Sequence, residues 1–552
     1  MVRGSLGDVT LTRSAVKGSY PLYAMPVPTL LSLDRWVPHQ DLRDAGKVVE
    51  MTPEMLKERD VIFVSHQWIA FNHPDPEGEQ LRALQHVLNN LLSGKHVVES
   101  NFWLNAVYGT LERFTPDMWS KRLPDMYVWF DYISIPQPGA VVGAASDDLK
   151  QQLDADGNGI IEQAELVNAD LSKASASKGS SDHRLLSAGD QRVVELVEQL
   201  KAAVDSIPSY VERSSMMWIL VPPCKHQDIE GAVCDFNSWR DRGWCRMEFA
   251  AGKLASGDDM PIMVIKSLAE APEFFNPCDT FKLCAARGNF TVDDDRAAVN
   301  RTLAKMLEAK AKFYEEEKED WTLSRFVRAF SPVFVPRSVA FADDDADDVD
   351  APAGETAVGR VKRTMRWRGD EAEAAWFEET GWSMLLLACA LDDEAAVDEL
   401  LALPEPQLRK ELDAKGKKGL VVSPGTYLKA GAPKHRADPF AQLFCAYAED
   451  MSPLMAAMTF ARTSIVVKLL DAGADVKKSG GLELLGDVPC HFRGSILAGR
   501  LDNTQVNPQP NPHPNPHPSR RSSSSATPDP GPSPSPSPSP QRRSSSTATP
   551  ST

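Results

Sequence analysis

Val61-Ile62-Phe63-Val64-Ser65-His66-Gln67-Trp68 is an apolar run of strand length that ends abruptly in polar and aromatic side chains. Three further runs have the same character: Tyr127 to Phe130 (YVWF), Met217 to Val221 (MWILV) and Ile262 to Ile265 (IMVI). Short, uninterrupted apolar segments of this kind suit parallel strands covered on both faces. Between them, apolar residues fall at helical spacing. Leu81, Leu84, Leu88 and Leu91 share one face, and Val193, Val194, Val197, Leu200 and Val204 share another. Strands alternating with amphipathic helices predict an α/β domain built on a doubly wound parallel sheet, whose ligand crevice lies beyond the carboxyl ends of the strands. The residues to examine are therefore Ser65, His66, Gln67 and Trp68 after the first strand, and Asp131, Tyr132, Ile135, Pro136 and Gln137 after the second.

Working outward, the chain of 552 residues is too long for one core and predicts several domains. Residues 1–55 read as a lead segment and 56–330 as the α/β domain. Asp343, Asp344, Asp345, Asp347, Asp348 and Asp350 precede a basic run containing Arg360, Lys362, Arg363, Arg366 and Arg368, and blocks of like charge stay solvated, so 331–375 reads as a linker. Residues 376–503 show helical periodicity. Fourteen of the 41 prolines fall between Pro508 and Pro550, so 504–552 has no apolar face to bury and is expected to be a disordered Pro/Ser-rich tail. Within it Arg520 to Pro528 (RRSSSSATP) returns almost unchanged as Arg542 to Pro550 (RRSSSTATP), which reads as simple-sequence expansion.

An insertion at 146–174 carries its own chemistry. Asp154, Asp156 and Asn158 stand at positions 1, 3 and 5 of a twelve-residue loop, with Gly159 at 6, Ile160 offering a backbone carbonyl at 7, Glu162 at 9 and Glu165 at 12. This is the EF-hand calcium pattern, in which hard oxygen donors surround the ion and glycine permits the sharp turn. Four carboxylates in twelve residues repel one another unless a cation sits among them. The flanking helices are less regular, since Ser146, Lys150 and Asp170 occupy places where apolar residues are usual, and the sequence has no second such loop. A lone hand must dimerise, pack on the α/β domain, or bind calcium weakly.

In the carboxy-terminal region, Met451 to Val476 (MSPLMAAMTFARTSIVVKLLDAGADV) closely resembles an ankyrin repeat, and Trp382 to Leu401 looks like an earlier copy. Val488 to Asn503 resembles a degenerate last copy. The resemblance implies a helical solenoid that binds protein partners.

The α/β half has a resemblance of its own. Ser65-His66-x-Trp68 after a strand, Trp129 to Gln137 (WFDYISIPQ), Ile207 to Val211 (IPSYV), and Ser238 to Glu248 with its Trp244, Cys245 and Glu248 together resemble Toll/interleukin-receptor (TIR) domains and the related fungal heterokaryon-incompatibility (HET) domains. The likeness covers roughly residues 56–270; the insertion after Gln137 departs from both families. Many TIR domains cleave the nicotinamide-ribose bond of NAD with a glutamate on this helix, and the resemblance places that role on Glu248. It also implies self-association. Read from the residues alone, Glu248 is equally a surface carboxylate or a partner of Arg242 or Arg246, and His66 a histidine packed at a strand end.

Composition excludes other classes. Net charge is -17, with 60 Lys+Arg against 77 Asp+Glu, which disfavours nucleic acid as a partner. The sequence shows no membrane span and no signal peptide, and the compartment expected is cytoplasmic or nuclear. The eight cysteines form no C-x-x-C pair, which fits reduced thiols; a zinc site at Cys224, His226, Cys234 and Cys245 matches no common spacing. The expectation is a calcium-binding, multidomain signalling or adaptor protein, with calcium as cofactor. The alternative is a calcium-modulated NAD glycohydrolase using Glu248.

Overall fold

The computed structural model describes residues 18–98, 115–155, 157, 159, 161, 163–169, 187–255, 260–276, 279–280, 283–291, 293, 295–336, 354–367, 370–417, 448–475, 479–482 and 486–489. Contacts divide the chain into a unit ending at Gln505 and a second, Val506–Thr552, which lies wholly outside the described residues, as does the rest of the expected tail.

The nine strands up to residue 274 are β1 (Tyr23–Pro26), β2 (Val49–Glu50), β3 (Val61–His66), β4 (Tyr127–Trp129), β5 (Met216–Leu220), β6 (Cys224–Lys225), β7 (Val233–Cys234), β8 (Ile262–Ile265) and β9 (Glu273–Phe274). Seven of them make one mixed sheet in the order β2-β1-β4-β3-β5-β8-β9, and β6 and β7 pair separately. The four apolar runs are its parallel heart: β3 pairs in parallel with β4 and β5, and β5 with β8. Every residue of β3, β5 and β8 is buried, as strands covered on both faces require. At both edges the sheet ends in short antiparallel strands, β1 and β2 on one side and β9 on the other, which leaves little open edge for unwanted pairing. The sheet thus takes in residues 23–50, which the sequence reading leaves outside the α/β domain. Their burial explains the difference: Leu22, Ala24, Met25, Val27 and Leu30 are core residues.

The helices keep the predicted faces. In Glu79–Leu92, Leu81, Leu84, Leu88 and Leu91 are buried. In Ala188–Asp205, Val193, Val194, Val197 and Leu200 are buried, while Val204 is half-buried. Helix Ile207–Glu212 leads into β5, and helix Gly243–Leu254 lies between β5 and β8. Its start is held by a close backbone approach. A Cβ on Gly288 would lie 2.5 Å from the Cα of Gly243, and one on Gly243 would meet the ring of Phe290 at 2.1 Å.

The charged stretch departs from the solvated linker expected of it. Its acidic residues Asp343 to Asp350 lie outside the described residues, but the basic run forms helix Ala357–Thr364, with Val361 buried. Arg360 pairs with Asp393 at 3.3 Å, Arg363 with Glu355 at 3.0 Å, and Arg366 with Glu308 at 2.9 Å and Glu315 at 3.0 Å. The last two glutamates belong to helix Asp295–Glu316 and also hold the fully buried Arg328, at 3.2 and 3.4 Å. Buried carboxylates need counter-charges, and the basic run supplies them.

Beyond it, helices Met384–Ala390 and Glu394–Leu401 form one hairpin, and Pro453–Phe460 and Thr463–Asp471 another. The two pack side by side, first helix on first and second on second. Ser383 and Ser452 cap equivalent helices, each accepting from a backbone amide at 3.3 Å. Arg462 pairs with Asp392 at 3.2 Å and Lys468 with Asp398 at 2.6 Å. Of the expected last copy, Val488 and Pro489 fall instead in a two-stranded hairpin, Ser479–Leu482 with Gly486–Pro489, and the remainder lies outside the described residues.

The backbone approach at Gly288 generates a test. Gly288→Ala should cost about 1–3 kcal/mol, the scale of overpacking against an unyielding neighbour. Gly243→Ala should cost less, because the Phe290 ring can swing away. Chemical denaturation of both variants measures the order; equal, negligible losses would contradict the packing described.

Candidate functional site

The carboxyl end of β3 is where the sheet opens. β4 stops at Trp129, opposite Phe63, whereas β5 stays in register as far as His66 opposite Leu220. Ser65 and His66 therefore project past β4, where the connection from β3 leads to β4 on one side and that from β5 leads to β8 on the other, the usual location of an α/β ligand crevice. The chain leaving β4 turns at once into a short helix, Asp131–Ser134. Its first residue meets the imidazole: His66 Nε2 lies 2.9 Å from Asp131 Oδ1. The ring stacks on Phe130 with centroids 3.9 Å apart, and Nδ1 lies 3.0 Å from Gln80 Oε1. Asp131 also accepts from Trp68 Nε1 at 2.6 Å.

From the other side, helix Gly243–Leu254 brings in Glu248. Ser65 Oγ donates to Glu248 Oε2 at 2.5 Å and accepts from Trp239 Nε1 at 3.0 Å. Cys245, one turn earlier, donates its thiol to the His66 carbonyl at 3.5 Å. A cavity of about 260 Å³ opens between them, lined by His66, Asp131, Arg242, Trp244 and Glu248 among others. Glu248 is half-buried and lines this cavity.

The electrostatics follow from these neighbours. Burial raises the Glu248 carboxyl to about 8; the Ser65 hydrogen bond and His66 oppose the rise and the Asp131 charge adds to it. Burial disfavours the imidazolium of His66, but the charge and hydrogen bond of Asp131 outweigh it and hold His66 above its ordinary value. Asp131 sits below the usual carboxylate range: burial opposes its charge, and His66, Trp68 and the Tyr132 amide more than compensate. Near pH 7 the site therefore sets a neutral Glu248 carboxylic acid beside the hydrogen-bonded His66-Asp131 pair. Two carboxyl groups on one cavity with pKa values pushed apart are the usual signature of acid and base roles.

No family model, curated protein or solved structure matches the chain.

Of the residues singled out after β3 and β4, His66, Gln67, Trp68, Asp131 and Ile135 line this cavity together with Trp244, Cys245 and Glu248, and Ser65 joins it through its bond to Glu248, whereas Tyr132, Pro136 and Gln137 lie off it. Glu248 is not the partner of Arg246, whose guanidinium goes to Asp241 at 3.6 Å and the Cys284 carbonyl at 3.0 Å. Arg242 lines the same cavity as Glu248. Of the calcium-loop residues, Asp156, Asn158, Ile160 and Glu162 lie outside the described residues. Asp154 Oδ2 accepts from the Gly159 amide at 2.9 Å, Glu165 Oε1 accepts from the Ala155 amide at 2.7 Å, and Gly159 adopts φ +85°. Asp154 Oδ1 is buried with no hydrogen-bond partner. Of the four residues weighed for zinc, Cys224 and Cys234 pair across β6 and β7, and Cys245 donates to the His66 carbonyl. Among the described residues no group of three or more His, Cys, Asp or Glu is arranged to hold a metal, and no helix is long and apolar enough to cross a membrane.

Sequence reasoning missed Gln80, Val167 and Asp295. Gln80 sits on the buried face of its helix, next to Leu81 and one turn before Leu84, and a buried polar residue beside an apolar stripe was the available signal. Val167 and Asp295 line the cavity from the inserted segment and from the helix after β9. No local pattern marks them, because only tertiary packing brings them there.

The raised carboxyl makes a prediction about stability. Glu248 retains its proton when folded up to about pH 8, whereas an ordinary glutamate loses it near 4.5, so stability contributed here falls as pH rises through that window. Glu248→Gln removes the dependence. The variant should melt above the wild type at pH 8 and close to it at pH 5, a difference of a few kcal/mol at most, given about 1.4 kcal/mol per unit. A gap independent of pH would show that the carboxyl is not held neutral.

Proposed function

We propose that the α/β domain hydrolyses the nicotinamide-ribose bond of NAD or a related nucleotide, with Glu248 as the catalytic residue. The observation that carries this reading is that Glu248, bonded to Ser65, lines a cavity at the end of β3 together with His66 and Asp131. An adaptor needs no such group there, and burying a carboxyl is costly unless something is gained from it. A carboxylic acid kept neutral by burial ionises when a cation arrives to replace the missing counter-charge. The pyridinium of NAD is such a cation. As the C1′–N bond breaks, the electron pair leaves with nicotinamide and positive charge moves to the ribose, where the Glu248 carboxylate stabilises it. Water then adds at C1′ and releases a proton. Ser65, itself oriented by Trp239, fixes the carboxylate; the Asp131-His66 pair holds the facing wall.

The inserted loop fits a calcium ion. Asp154 Oδ1 is a buried oxygen without a donor, Oδ2 is already oriented by Gly159, and Glu165 closes back on the start of the loop. Asp154 and Glu165 would hold the ion with the other loop oxygens of the sequence pattern. The lone hand meets the α/β domain: Leu149, Leu153 and Leu166 are buried, and Lys201 Nζ donates to the Ala169 carbonyl. Packing of this kind substitutes for a paired hand. The two carboxy-terminal hairpins, in register through ion pairs about 70 residues apart, support the ankyrin-like reading, and the exposed Val467 and Leu470 give them an apolar surface for a protein partner.

Incubation of the full chain with NAD and calcium should release nicotinamide. Glu248→Gln should keep the fold and lose a hundredfold or more in rate, the scale of removing one electrostatic stabiliser. For the wild type kcat/KM should rise with pH through about 8, where free Glu248 ionises. A folded wild type that releases no nicotinamide overturns the enzymatic reading. Calorimetric titration with calcium should give heat that Glu165→Gln abolishes; equal heats would reject the loop as the site.

A further inference from the structure

We propose that calcium in the inserted loop controls the Glu248 cavity through the helix Gln163–Asn168, which is at once the end of the loop and a wall of the cavity. The inference rests on the reading of both sites given above and adds a connection between them. Three residues of this helix carry it. Glu165 closes the loop through its bond to the Ala155 amide. Two residues on, Val167 lines the same cavity as Glu248. Next to it, Asn168 Nδ2 donates to Asp295 Oδ1 at 3.3 Å, and the other oxygen of Asp295 accepts from Trp244 Nε1 at 2.9 Å. Asp295 is buried, and both Asp295 and Trp244 line the cavity. Trp244 in turn belongs to the helix that carries Glu248.

The physical switch is the charge of the loop. Asp154, Asp156, Glu162 and Glu165 repel one another when no cation is bound, and six residues of helix are too few to hold themselves together without tertiary support. Calcium removes the repulsion and ties Glu165 to Asp154, fixing the helix that presents Val167 and Asn168. The Asn168-Asp295-Trp244 chain then fixes the part of the wall that adjoins Glu248 on its helix. Without calcium the wall loosens and the ligand must supply the ordering free energy itself, which weakens its binding. Linkage requires the converse: a ligand in the cavity tightens calcium binding by the same factor, and couplings of this class are about 5- to 150-fold. The direction is therefore fixed. Calcium promotes occupancy of the cavity.

The test is calorimetric titration of the full chain with calcium, alone and with saturating ADP-ribose, a product-like probe that is not consumed. The wild type should bind calcium at least about fivefold more tightly in its presence. Asn168→Leu should still bind calcium but lose this enhancement. Calcium affinity unchanged by bound ADP-ribose overturns the coupling while leaving both sites intact; absence of calcium binding overturns the calcium reading and the coupling with it. If ADP-ribose does not bind, the pocket assignment fails separately, and amide hydrogen exchange decides the coupling. Calcium-dependent protection reaching from 163–169 to 243–245 and 295–300 supports it, and protection confined to the inserted segment overturns it.

Discussion

Ser65 donates to Glu248 across 2.5 Å because β3 runs three residues further than β4, and the remaining features of the site depend on that overhang. Were β3 to end with β4 at Phe63, Ser65 and His66 would leave the crevice and Glu248 would face an empty cavity. The overhang comes from β5, which continues pairing as far as Leu220 and keeps the end of β3 extended. On that fixed edge, a hydroxyl meets one carboxyl and an imidazole meets another, and the two carboxyl groups acquire opposite character. Glu248 has only a hydroxyl and is pushed toward neutrality. Asp131 has the His66 imidazole and two N–H donors and is held below the usual carboxylate range.

Much of this was legible in the sequence because both of its signals are local. Four apolar runs without polar interruption give the parallel strands, and chain order alone says that the residues after the first two share a crevice. Ser65, His66, Trp68 and Asp131 follow from that rule without any relative to compare. The state of Glu248 was not legible. Its neighbours in sequence, Arg242 and Arg246, suggest an ion pair, but Arg246 is spent on Asp241 and on backbone carbonyls, and no sequence rule reports that the carboxyl ends in a cavity instead. The same limit explains Asp295 and Val167, which reach the cavity from segments 47 residues after and 81 residues before Glu248.

Charge was the least reliable guide. The basic run at Arg360 to Arg366 reads as solvated when its sequence neighbours are counted, yet its counter-charges lie on other elements: Asp393 on the next helical hairpin, Glu308 and Glu315 on the long helix after the sheet. These pairs join the α/β half to the helical half, aided by Phe326 and Phe330 against Trp376 and Trp382. A substitution among them acts on both halves at once, which makes them more consequential than surface ion pairs of similar length.

The central claim is that this protein holds Glu248 protonated in an unliganded cavity and lets it ionise when a cationic nucleotide enters. Carbon-detected NMR of the carboxyl groups, with Glu248→Gln used to assign the signal, measures this directly. The account predicts a titration midpoint near 8 for the free protein that moves to lower pH when nicotinamide riboside is added. A midpoint near the ordinary glutamate value of about 4.3, unmoved by the riboside, would contradict it.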